Sequence, residues 1–167
     1  MDKILPLMVS GAIGVVNAVL AILLNKFFET RSKRLATRRE QLEKIFAPLE
    51  VLTRVNKQEF ERIQKLGPDS HAEKEFIEQS IWYPNHTEIK RIIMTNSHLL
   101  PEIPQELLDL VDHINVWLFV YEKKYIKGDY SGPVYAGPRG KPYPKAADDY
   151  IFNTAARYRK KLNRRLF

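Results

Sequence analysis

Few side chains in this sequence are spaced for chemistry, and the clearest pair is Arg91 and His98, within RIIMTNSH. Seven residues make two turns of an α-helix, so both side chains are expected on one exposed face, opposite Ile89, Ile93 and Asn96. An imidazole there can act as acid or base near neutral pH, and a guanidinium can hold phosphate or stabilise developing charge. The other histidines, His71, His86 and His113, show no paired His/Asp spacing on one helix, so neither a metal nor a cofactor is implied. The absence of cysteine excludes disulfides, thiolate zinc sites and cysteine nucleophiles. No nucleophile elbow, kinase set or dinucleotide-binding turn is present. Gly137-Pro138-Arg139-Gly140-Lys141 lacks the spacing and the following Ser/Thr of a phosphate loop, and its prolines remove amide donors.

The elements that must position these residues read as helices throughout. Leu35, Leu42, Ile45, Phe46, Leu49, Leu52 and Val55 recur near every third or fourth position and predict an amphipathic helix to about Lys65. Pro48 should kink it, and Gly67-Pro68 should end it. A short helix is expected from Ser70, broken at Tyr83-Pro84-Asn85, with Asn85 or Thr87 capping the next. That next helix carries Ile89, Ile92, Ile93 and Asn96, and closes at Leu99-Leu100-Pro101. Pro104 is placed at the first position of a core helix running to about Ile126, packed through Leu107, Val111, Ile114, Leu118, Tyr121 and Tyr125. A last helix from Lys145 to Leu166 turns Ile151, Phe152, Ala155 and Leu162 inward.

Ahead of these lies an uncharged run, Ile4 to Asn25, between Lys3 and Lys26. As a helix its 22 residues span roughly 33 Å, against about 30 Å of bilayer hydrocarbon. It is too long for a signal peptide and ends in a basic cluster that resists translocation. It therefore reads as a single-pass anchor, with the N-terminus outside and the rest in the cytoplasm. Ser10, Gly14, Asn17, Ala18, Ala21 and Asn25 share an arc of roughly 100°. Small residues let helices approach, and an amide in hydrocarbon seeks a partner or water. The stripe therefore points to self-association, or to the lining of a pore built from several copies.

The domain expectation is an anchor at 1–25, a basic stalk helix at 26–66 and a helical domain at 67–167. The net charge of the 167 residues is +7, but residues 26–44 carry seven Lys/Arg against three Glu, while residues 50–112 are net acidic. Residues 127–144 hold four of the seven glycines and four of the ten prolines, and are expected to be a long loop. A loop of this length is usually functional or disordered. Tyr130, Tyr135, Arg139 and Lys141 in that loop are candidate contacts to a partner or a nucleic acid. Arg157, Lys160 and Arg164 in the last helix form a second such set.

The Arg91/His98 spacing resembles the active-site motif of HEPN ribonucleases. That resemblance implies metal-free RNA cleavage by two such motifs meeting across a dimer. An uncharged span, an RSKR-x3-RRE stalk, the EKIFAPL turn and a helical body together give a layout similar to the small membrane accessory proteins of RNA-targeting CRISPR systems. This implies a degenerate HEPN-like domain, a bacterial inner-membrane location, homo-oligomeric pores and a part in antiphage defence. RNA or a CRISPR effector complex would be the further partner. The alternatives are a membrane-tethered ribonuclease and a non-catalytic scaffold for a cytoplasmic complex.

Overall fold

The computed structural model describes residues 4–67, 70–129 and 141–163; of residues 4–16 and of Ala18 it describes the helical backbone alone. Among the described residues there is no strand, and the chain is all-α as expected. It divides into two compact units, Met1–Arg38 and Arg39–Phe167. The division therefore falls inside the expected 26–66 stalk, whose second half packs as part of the helical body.

The described residues of the first unit all belong to α1 (Ile4–Gln41), a 38-residue helix. Its large apolar side chains from Val19 to Phe28 are exposed to between 46% and 59%. Among the described residues no helix is long and apolar enough to cross a membrane. Most side chains of the expected 1–25 anchor lie outside the described residues.

In the second unit the helices are α2 (Ala47–Lys65), α3 (His71–Ile77), α4 (Tyr83–Asn96), α5 (Gln105–Tyr121) and α6 (Lys145–Asn163). Both α4 and α6 pack against α2 and against α5, so these four close a ring around one core. Apolar residues at helical spacing fill it, including Phe46, Leu49, Ile89, Ile93, Leu107, Leu110, Ile114 and Ile151. The α5 face is turned slightly from the expected one: Leu110 and Trp117 are buried, whereas Leu108 and Phe119 are exposed.

Two prolines sit inside continuous helix, and each follows a five-residue π turn. Leu42–Phe46 precedes Pro48, and Glu78–Trp82 precedes Pro84. A proline supplies no amide donor, and its ring presses on the carbonyl four residues back. Those carbonyls belong to Lys44 and Ser80, and both lie within the widened turns. The break expected at Tyr83-Pro84-Asn85 therefore does not occur. The same local solution thus occurs twice, at Ile45-Phe46-Ala47-Pro48 and at Ile81-Trp82-Tyr83-Pro84. Neither Asn85 nor Thr87 is a cap: the Asn85 amide donates to Asn56 Oδ1 at 2.8 Å, and the Thr87 hydroxyl to the Tyr83 carbonyl at 2.9 Å.

The widened turn at Leu42–Phe46 is tied to the end of α4. Asn96 Nδ2 donates to the Lys44 carbonyl at 3.4 Å as well as to the Ile92 carbonyl at 2.9 Å. Buried Gln41 donates to the Leu99 carbonyl at 2.6 Å, in the turn that follows α4. Pro104 stands just before α5 rather than within it, and its carbonyl accepts the Leu107 and Leu108 amides at 3.1 and 3.2 Å. A third π turn, Glu122–Ile126, prolongs α5, and Gly128 at φ 66° supplies the left-handed residue that ends it.

Between α2 and α6, Glu50 accepts from Arg159 at 2.6 Å and from Arg54 at 2.9 Å. Burial pushes its carboxyl up, and the two guanidinium partners more than reverse this, leaving it below the usual carboxylate value. Arg54 also lies 4.3 Å over the Phe152 ring of α6.

Fully buried Phe46 meets Tyr150 and Tyr158 edge-to-face, at 5.9 and 5.6 Å between centroids. Phe46→Ala is expected to lower unfolding free energy by about 3–5 kcal/mol. Phe119→Ala, at an exposed position, should stay within about 0.5 kcal/mol. Denaturant unfolding of the full chain followed by circular dichroism checks both.

Candidate functional site

The most unusual chemistry in the bundle is a chain of rings along α5, opposite the start of α4. His113, Trp117, Tyr121 and Tyr125 recur at every fourth residue, so they climb one slowly turning side of α5 and its π turn. From α4, Tyr83 stacks on Tyr121 at 4.3 Å, and His86 lies 4.5 Å from Trp117. Trp82 meets Trp117 edge-on at 6.5 Å, and Phe60 of α2 stacks on Trp82 at the same distance. Trp117 and Tyr121 are stacked at 5.3 Å, and Tyr121 and Tyr125 lie 4.8 Å apart. At the other end His113 meets Tyr143 edge-on at 5.2 Å.

Two imidazoles are thus buried side by side, His86 and His113, with 6.3 Å between ring centroids. Burial is the main force holding His86 down, to about 3; the neighbouring His113 adds to it, and the Trp82 carbonyl works against it. His86 is therefore neutral at physiological pH. His113 is also lowered by burial, against the pull of the Lys141 and Pro142 carbonyls, and its Nδ1 lies 3.1 Å from the Lys141 oxygen. Among the described residues His86 Nδ1 and Trp82 Nε1 find no hydrogen-bond partner, although both are buried. Such unsatisfied groups are rare in well-packed interiors.

Carboxylates stand at both ends of the ring chain. Tyr125 donates its hydroxyl to Glu78, to which Lys124 is also paired at 2.9 Å. Burial first, then Glu78, raises the Tyr125 phenol well above its ordinary value. Tyr143 donates to Asp148, and Lys141 pairs with Asp112. Among the described residues no group of three or more His, Cys, Asp or Glu side chains is placed to hold a metal ion.

The structure does not prepare Arg91 and His98 as a pair. The Arg91 guanidinium is held by both oxygens of Glu88, each at 2.6 Å, and these contacts raise its pKa. The α-helix ends at Asn96, which puts His98 on the tighter turn Ser97–Leu99, where its Nδ1 meets the Thr95 carbonyl at 3.1 Å. Both residues are exposed, as expected, but the shared helical face is interrupted between them.

On α1, Asn17, Ala21 and Asn25 are exposed; the Ser10, Gly14 and Ala18 positions are helical, with nothing further described. Tyr130, Tyr135, Arg139 and Arg164 lie outside the described residues. Lys141 is engaged by Asp112, Arg157 lies 5.5 Å from the Tyr158 ring centre, and Lys160 is exposed. The ring chain itself had a readable signal, the four-residue repeat His113–Trp117–Tyr121–Tyr125 together with Trp82–His86. No family model, curated protein or solved structure matches the chain.

The buried histidines predict the acid response of the fold. His86 binds a proton readily when unfolded but not when folded, so its contribution is complete above its unfolded value of 6.5. It is lost as the pH falls from there toward about 3. Between about pH 7 and pH 5 this one group should remove about 2 kcal/mol of stability. Comparing the wild type with His86→Phe by denaturant unfolding across that range should show a shallower pH slope in the variant.

Proposed function

We propose that this chain is a membrane-anchored, self-associating protein whose helical body has an accessory, non-catalytic role, in the antiphage-defence setting that its layout suggests. One observation carries the reading. Val19, Leu20, Ile22, Leu23, Leu24, Phe27 and Phe28 stand exposed around α1, where the uncharged run of the sequence meets its basic stretch. Exposed apolar side chains over most of a helix circumference, all but the side that holds Ala21 and Asn25, suit a lipid surround, whereas a helix docked on a protein hides its apolar face. In this reading the uncharged residues 4–25 cross the bilayer, the bundle lies on the cytoplasmic side, and α1 delivers it to the membrane.

Self-association follows from the polar stripe. A lone span has no second helix of its own to meet Asn17, so a second copy of the chain supplies the partner. Further copies would close a ring with Ser10, Gly14, Asn17 and Ala21 toward its axis. The Arg91–Glu88 pair is one that a helix surface forms without any catalytic role, which suits accessory work.

Light scattering of the full chain in mild detergent, corrected for bound detergent, is expected to give one discrete assembly of more than two copies. Gly14→Leu and Asn17→Leu together should reduce it to monomer, and conductance recorded in planar bilayers should fall with it. A monomeric wild type would remove the self-assembly reading. Unchanged assembly in the double variant would remove the assigned face.

A further inference from the structure

We infer that the segment Lys26–Arg39 of α1 is a cationic collar that gathers anionic lipid headgroups around the helix; this rests on the anchor reading above. Six cations, Lys26, Arg31, Lys33, Arg34, Arg38 and Arg39, stand against one acid, Glu29. Only Lys33 is neutralised, by Glu29 at 2.6 Å; among the described residues the four arginines and Lys26 make no ion pair. All but Arg38 are exposed, and Arg38 is half-buried.

Their arrangement decides the kind of surface they meet. At about 100° per residue, Lys26 and Lys33 fall on one side of the helix. Arg34, Arg38 and Arg31 fall within about 60° of one another on a second side, and Arg39 on a third. A helix lying flat on a membrane has its cations along one edge and a continuous apolar face opposite. Here the charges surround the axis, which fits a helix standing across the surface with headgroups on all sides. Phe27 and Phe28 pack edge-to-face at 5.8 Å and are both exposed at the start of this stretch. Their rings would fix the depth at which the collar begins. A nucleic acid would approach from one side and leave part of such a collar unused, so the bilayer is the better partner. Arginine adds a planar fork of donors that pairs two phosphate oxygens at once, which phosphate-rich headgroups would use.

The test uses the full chain reconstituted in phosphatidylcholine vesicles containing a minority of phosphatidylglycerol. Spin-labelled phosphatidylglycerol and spin-labelled phosphatidylcholine then report which lipid is immobilised at the protein. The expected result is a preference for the anionic label of ~5-fold per uncompensated charge at a strong site. Raised salt should weaken that preference, and Arg31→Gln/Arg34→Gln/Arg38→Gln should remove most of it. Equal immobilisation of the two labels, or a preference that the triple variant keeps, overturns the collar while leaving the anchor intact. If neither label is immobilised, the anchor reading itself fails. A triple variant that loses binding to single-stranded RNA but keeps its lipid preference would assign the charges to nucleic acid instead.

Discussion

Two prolines in the middle of helices are the constraint on which the bundle depends. In an ordinary α-helix Pro48 and Pro84 would each force a break or a sharp kink. The π turns before them absorb the ring without ending the helix. The extra residue also turns the side chains beyond it to a new face. Before the first turn most described side chains of α1 are exposed, with Gln41 buried at its end; within and after the turn Leu42, Ile45, Phe46 and Leu49 point into the core. Before the second turn α3 buries only Ile77; after it His86, Ile89, Ile92 and Ile93 are all inward. The same device thus converts a peripheral helix into a core helix at two places in the chain.

The interior created in this way is unusually aromatic and polar along one side. Most of the core is aliphatic, but the far side of α5 replaces aliphatic packing with stacked and edge-on rings. Rings of this kind give directional contacts beyond area burial, about 0.5–1.5 kcal/mol per pair. Placing imidazoles among them is tolerable because a neutral histidine is nearly as easily buried as a phenol. The consequence is that burial of imidazoles gives this side of the bundle an acid sensitivity of its own.

Much of the fold was legible in the sequence. The apolar period of Ile89, Ile92 and Ile93, or of Ile151 and Ala155, is strict enough to fix which face is buried. Helix ends at Lys65 and near Leu99 followed from glycine and proline chemistry. Other features were not legible, for reasons of the same kind. A proline reads as a break unless a compensating π turn is recognised, and nothing local distinguishes the two at Pro84. The meeting of His86 with His113 joins residues on separate helices, which no spacing along one helix reveals. Arg91 and His98 looked paired because an unbroken helix was assumed; the turn at Ser97 changes the geometry after Asn96. The nearby Glu88, three residues before Arg91, was the better guide to where that guanidinium goes.

The amide of Asn96 on the Lys44 carbonyl has a consequence for how this protein can change over time. The proline at position 48 leaves that carbonyl without its helical donor, and a side chain far away in the sequence supplies one. An alanine at 48 would offer a backbone donor in that turn again, so the amide at 96 has more to contribute with proline in place. Substitutions at 48 and 96 are therefore expected to be coupled rather than additive. In a lineage of such chains the two sites would be expected to co-vary, recording the contact between two helices as a correlation between a ring and an amide.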